Sequence, residues 1–190
     1  MITESFWEYS CRVYSADEVS EACLHLQDAY GMDVNLLLLC CWHASTRGVI
    51  EQTLFSSLLT TSKAWSDNVV VPLRESRRWM KAQLAQQSLP SAVTCDQFTQ
   101  LREQIKTIEL RCEQHQQTFL QDLLTSTPIS LSQTQQLEAA ARNVQTLLLQ
   151  QELPADDALH QACSALICNV IPHPLHTNST AREIVLTVLR

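Results

Sequence analysis

The stretch Asp33-Val-Asn-Leu-Leu-Leu-Leu-Cys-Cys-Trp-His-Ala-Ser-Thr-Arg-Gly48 constrains the fold more than any other part of the chain. Between Val34 and Ala44 only Asn35 and His43 are polar, so a helix here has apolar side chains on almost every side and must be surrounded by other elements. The Asp33 carboxylate can accept from the free N–H groups of a first turn. Gly48, with no Cβ, can enter the left-handed conformation that ends a helix. This stretch is the expected central buried helix, with Leu36 to Trp42 serving as core alone.

The rest of the chain supplies what such a helix needs around it. Two glycines and six prolines in 190 residues are few for a protein built of tight β-turns, whereas Leu, Ala, Gln and Glu, good helix formers, are abundant. The expected fold class is all-α, an irregular multi-helix bundle with a long antiparallel helical hairpin in the C-terminal half. A hydrophobic content of 45% suffices for a substantial core. The expected organisation is a single helical domain over 1–190, divisible into an N-terminal bundle, 1–87, and a segment 94–190 carrying the hairpin and the last helices.

A first helix is expected from Ser5 to Tyr14, opened by Thr3 or Ser5. Ser15 or Asp17 then caps a second, in which Val19, Ala22, Cys23, Leu26 and Tyr30 share one face, and Gly31 ends it. Only Met32 separates that glycine from the Asp33 cap, so a tight turn joins helices two and three. After a short helix over Val49 to Lys63, the segment Ala64 to Gln87 meets Val69-Val70-Val71-Pro72. A proline without an N–H predicts a kink or a break there. Ser88 to Val93 reads as a linker. Thr94 and Gln97 form a capping box for a long helix whose Phe98, Leu101, Ile105, Ile108, Cys112, His115 and Phe119 alternate steps of three and four, and Ser130 with Gln133 offers a box for its hairpin partner. Pro154 suits the first turn of the next helix, and Thr180 the cap of the last.

Charge and targeting signals limit the function classes. A net charge of −7 argues against a general nucleic-acid grip. The first residues lack the basic and apolar blocks of a secretory signal, and the longest apolar run is well short of the ~20 residues that cross a bilayer, so no membrane span and a cytoplasmic location are expected. The eight cysteines include no Cys-x-x-Cys pair and fall mostly on inner helix faces, which suits small buried hydrophobes better than disulfides.

Two polar features stand out. Arg74, Arg77, Arg78 and Lys81, at i, i+3, i+4 and i+7, form one basic stripe whose arginine forks suit an oxyanion or an acidic partner, unless they only pair with neighbouring carboxylates. Gln27, Asp28, Asp33 and Asn35 gather at the turn between helices two and three, where capping also accounts for them. A metal site in the run His160, Cys163, Cys168, His173 and His176 is disfavoured, because Cys163 and Cys168 point about 140° apart on one helix. With two glycines, phosphate loops and nucleophile elbows are scarcely available. No catalytic residue, metal or cofactor is assigned.

The wording of four segments is distinctive: Phe6-Trp7-x-Tyr9-Ser10; Val19-x-x-Ala22-Cys23-Leu24-x-Leu26-Gln27-Asp28; Gly31-x-Asp33-Val34-Asn35-Leu36-Leu37-Leu38; and Val70-x-Pro72-Leu73-Arg74-x-x-Arg77-Arg78-x-x-Lys81. Over about residues 1–85 the chain resembles a family of small bacterial proteins of unknown function. The resemblance implies a cytoplasmic helical protein and carries over no catalytic residue. Both polar features belong to the family pattern, so Arg74, Arg77, Arg78, Lys81, Gln27, Asp28 and Asn35 are the candidate site residues. The first functional expectation is a non-enzymatic interaction or adaptor protein, meeting a protein partner through the stripe or the Gln-rich hairpin. The alternative is a bundle that binds an anionic, partly apolar small molecule, or an enzyme acting on one, with a pocket near the Gly31–Asn35 turn.

Overall fold

The computed structural model describes residues 4–86, 94–124, 127–154, 156–171 and 178–190. These are all-helical: α1 Phe6–Tyr14, α2 Asp17–Tyr30, α3 Val34–Thr46, α4 Gln52–Trp65, a π-helical turn Ser66–Val70, α5 Val71–Ala85, α6 Cys95–Asp122, α7 Gln133–Gln150, α8 Asp157–Val170 and α9 Asn178–Leu189. The expected linker Ser88–Val93 and the loop holding His173 and His176 lie outside the described residues. Among the described residues no helix is long and apolar enough to cross a membrane.

Local chemistry sets most of the boundaries. Ser5 and Glu8 form a reciprocal capping box at the start of α1, as Thr94 and Gln97 do for α6. The α7 box is Ser132 with Gln135, two residues later than expected, because this pair makes the reciprocal bonds. Ser15 does not open α2, since its hydroxyl instead donates to the Arg12 carbonyl at the end of α1, 2.7 Å away. Gly31, with φ of +68°, ends α2, and Gly48, with φ of +83°, follows α3. Pro154 precedes α8 rather than entering its first turn: the Asp156 carboxylate is the cap, accepting from the Leu159 N–H at 2.7 Å. Thr180 lies inside α9, which begins at Asn178.

The expected break near Pro72 takes the form of the π turn. There the Val71 N–H bonds to the Ser66 carbonyl, five residues back, and Pro72 occupies the first turn of α5. The wider turn gives the pyrrolidine ring, which has no N–H, a place in an otherwise continuous helical path.

Residues Leu36 to Ala44 of α3 are all buried, and α3 touches α1, α2, α4, α6 and α7. One core cluster runs from Phe6 through Leu58 of the first half to Leu120 and on to Leu189. Asn143 of α7 is the polar pin of this region. Fully buried, it accepts from the Ile50 N–H at 2.8 Å and donates to the Cys40 and Gly48 carbonyls at 3.1 and 3.2 Å.

The C-terminal hairpin is corrected by the packing. α6 lies against α5, with further contacts to α1, α3 and α4, while α7 packs on α3 and α9. The buried residues of α7 include Ala139, Ala140, Ala141 and Val144, small side chains that let its neighbours approach closely. The buried residues of α6 are instead Glu109, Gln116, Gln117 and Leu120, a largely polar set that needs polar partners. The intervening chain crosses the end of α3, where the Ile129 N–H donates to the Thr46 carbonyl at 2.8 Å.

Candidate functional site

The polar turn before α3 is built into the bundle. The Asp33 carboxylate accepts from the Asn35 N–H at 2.8 Å, from the Ser62 hydroxyl of α4, and from Gln116 Nε2 of α6 at 3.3 Å. Asn35 uses both ends of its amide: it donates to Gln116 Oε1 at 2.7 Å and accepts from Gln117 Nε2 at 2.8 Å. This network ties three helices together at one point. Because each amide is partnered on a neighbouring helix, it fixes where the α3 N-terminus sits against α6.

Beside it, α5 meets α6 through charge. Arg74 reaches Gln27 Oε1 at 3.1 Å, Glu109 Oε1 at 3.2 Å and Glu113 Oε1. Arg77 grips Glu109 with two nitrogens, at 2.7 Å from Oε2 and 3.1 Å from Oε1. The Glu109 side chain is 7% exposed and shared by two guanidiniums; Glu113 is 19% exposed and, among the described residues, pairs with Arg74 alone. Burial pushes the Glu113 carboxyl above the usual carboxylate range, with Arg74 opposing the shift and Glu109 and Asp33 adding to it. Burial also works against the charge of Arg74, but Glu113 and Glu109 outweigh it, so its guanidinium is held above its ordinary value.

These groups line one open cleft of about 820 Å³ bounded by α1, α2, the start of α3, the π turn, α5 and α6. Its apolar wall includes Trp7, Tyr14, Leu24, Leu38, Val71 and Leu110. Four cations, Arg74, Arg77, Arg78 and Lys106, face three carboxylates, Asp33, Glu109 and Glu113. Four buried polar atoms on lining residues, Ser10 Oγ, Gln117 Oε1, Arg77 Nε and Glu109 Oε2, have no hydrogen-bond partner among the described residues, the last two standing 2.7 Å apart as an ion pair.

Of the seven candidate residues, Gln27, Asn35, Arg74, Arg77 and Arg78 line this cleft. Asp28 and Lys81 are exposed and stand apart from it. Glu109, Glu113, Gln116 and Gln117 are not among the candidates that the sequence suggests, because the apolar seam dominates the pattern of α6. The signal was present: Glu109 and Glu113 are four apart, the spacing that answers an arginine pair at i, i+3 on a facing helix. In the metal-like run, Cys163 is fully buried in α8, and among the described residues no three His, Cys, Asp or Glu side chains group as a metal site.

No curated protein and no solved structure matches the chain. A family model does match, over residues 5–120, and so extends beyond the resemblance at 1–85 to take in α6. Every residue lining the cleft, from Trp7 to Gln117, falls inside the matched stretch. The chain belongs to the family described as "Protein of unknown function (DUF2390)".

Proposed function

We propose that this protein binds a small, anionic, partly apolar molecule in the cleft beside the α3 N-terminus. The observation that carries this reading is convergence: Gln27, Asn35, Arg74, Arg77 and Arg78, on three separate helices, line a single concavity with an apolar wall. A volume of about 820 Å³ lies within the range of small-molecule sites, and apolar walls with a few convergent polar groups are their usual make-up. The unpartnered Ser10 Oγ and Gln117 Oε1 give further support, since buried polar atoms ordinarily find a partner.

A suitable probe is 8-anilinonaphthalene-1-sulfonate, which pairs a permanent anion with an aromatic body. Its fluorescence should saturate on one class of site. Arg78→Glu and Leu110→Glu, both at exposed lining positions, should weaken it about tenfold or more, a change of about 1.4 kcal/mol. Leu149→Glu, on an exposed residue of α7 that does not line the cleft, should leave it unchanged. Absence of saturation, or equal loss in all three variants, would remove the reading.

The second reading, a protein adaptor, draws on exposed apolar residues of α5 and α6, where Trp79, Leu101 and Ile108 are 59%, 49% and 50% exposed. Exposed large apolar side chains that adjoin one another are a usual mark of a contact surface. With Arg74 and Arg77 engaged by α6, its charged contribution comes down to Arg78 and Lys81. A defined partner recovered with the intact chain, and lost in Lys81→Glu with Trp79→Ala but kept in Leu110→Glu, would favour it over the cleft.

A further inference from the structure

The cleft poses a charge problem for its own ligand. Arg74 and Arg77 are already matched by Glu109 and Glu113, so an anion drawn to Arg74 enters a cluster that is neutral and partly desolvated. Three arrangements could accommodate it. The anion could stay at the exposed Arg78 and Lys106, where solvent screening leaves less attraction than the partly buried Arg74 offers. It could force a third carboxyl-like charge on two guanidiniums, which burial makes costly. Or one carboxylate could take up a proton and let go.

The geometry singles out which carboxylate yields. Glu109 is held by Arg74 and by two nitrogens of Arg77. Asp33 is held by a backbone N–H, a hydroxyl and an amide. Among the described residues Glu113 has Arg74 alone. The other titratable groups that bear on it are Glu109 one turn earlier on α6 and Asp33 at the α3 cap, both acidic, and the Tyr14 phenol of α1. Gln27 of α2 contributes a neutral acceptor to Arg74. One cation against two neighbouring carboxylates leaves Glu113 the least well stabilised charge in the cluster.

We infer that ligand binding is coupled to uptake of one solvent proton by Glu113, which frees the Arg74 guanidinium to receive the ligand's anionic group. This rests on the cleft-binding reading and adds its regulation. The proton passes from solvent to a Glu113 carboxylate oxygen; the ion pair with Arg74 is exchanged for one with the ligand, and no covalent bond changes. Binding is therefore tighter in mildly acidic solution and weaker as pH rises, over the interval between the titration of Glu113 in the free and in the occupied protein.

The test uses the same sulfonate probe, whose own charge does not change over the range. Between about pH 5 and about pH 8, Kd should rise by up to about tenfold per pH unit, the limit for one linked proton. Calorimetry in buffers of different ionisation enthalpy should report uptake of up to one proton on the unaltered chain. Glu113→Gln, folded by circular dichroism, should bind tightly with a flat pH profile, while Glu113→Asp should keep the slope. A flat profile with no proton uptake in the unaltered chain, or an undiminished slope in Glu113→Gln, overturns the proton coupling while leaving cleft binding intact. Failure to bind at any pH removes both.

Discussion

Two sides of α3 are held by different physics. Its middle and C-terminal part packs with α7 in an apolar core of mainly Leu, Ala and Val side chains, in which Asn143 has its bonds answered. Its N-terminal turn faces α5 and α6 through Asn35, Gln116, Gln117, Arg74, Glu109 and Glu113, beside an open cleft. Apolar burial stabilises in proportion to area and asks for nothing specific from a ligand. A cluster of amides and ion pairs at a cleft contributes little net stability after desolvation and mainly fixes which groups meet. The dry side makes the fold; the wet side is where chemistry is available. The cysteines fit the same division, since burial pushes the Cys23 and Cys163 thiols up to about 12 and keeps them protonated and inert.

The contrast can be broken first with two tryptophans. Trp42 is buried against Phe6, with ring centroids 5.5 Å apart, and its indole N–H donates to the Glu4 carbonyl. Trp42→Ala should cost about 3–5 kcal/mol in urea unfolding. Trp79→Ala, on the exposed face of α5, should stay within about 0.5 kcal/mol. Comparable losses would mean that the α5 face is covered in solution.

Asn143→Leu is a sharper probe of the dry side. It keeps the heavy-atom count and branching but strands the Ile50 N–H and the Cys40 and Gly48 carbonyls, so a loss of about 1–3 kcal/mol is expected from equilibrium unfolding. A neutral result would show that water reaches Ile50.

The smallest effect separates the two sides by pH. Burial lowers the His43 pKa, with Arg47 acting in the same direction and the Gly48 carbonyl opposing. The unfolded chain therefore binds more protons here, and stability is lost as pH falls below the ordinary histidine value of ~6.5. Glu113 has the opposite sign: its carboxyl is raised in the folded state, so its contribution grows as pH falls through the raised value and is complete below the unfolded ~4.3. Each group contributes a slope of at most about 1.4 kcal/mol per pH unit. His43→Asn should remove the first trend and Glu113→Gln the second, measured as unfolding midpoints against pH.

How much of this was legible in the chain follows the same division. The Asp33 cap, the Gly48 stop and the buried run between them were readable because they depend on local chemistry and a nearly uniform apolar composition. Five of the seven candidate residues met in one cleft because a helix face is set by spacing. What lies across from a face is not set by spacing. The pairing of α6 with α5 rather than α7 depends on Glu109 and Gln116 matching Arg74 and Asn35 in three dimensions, while the heptad-like seam pointed elsewhere. Asp28 and Lys81 shared sequence neighbourhoods with cleft residues but fall on outward-facing positions.

The central claim, that the wet side of α3 receives an anionic, partly apolar ligand, is tested most directly by methyl NMR during titration with 8-anilinonaphthalene-1-sulfonate. The account predicts saturable shifts at Leu24, Val34, Leu38, Val71 and Leu110, which line the cleft, with Leu101 and Leu149 unmoved. Shifts confined to Leu101, Ile108 or Leu149, or no saturable shift at the cleft methyls, would contradict it.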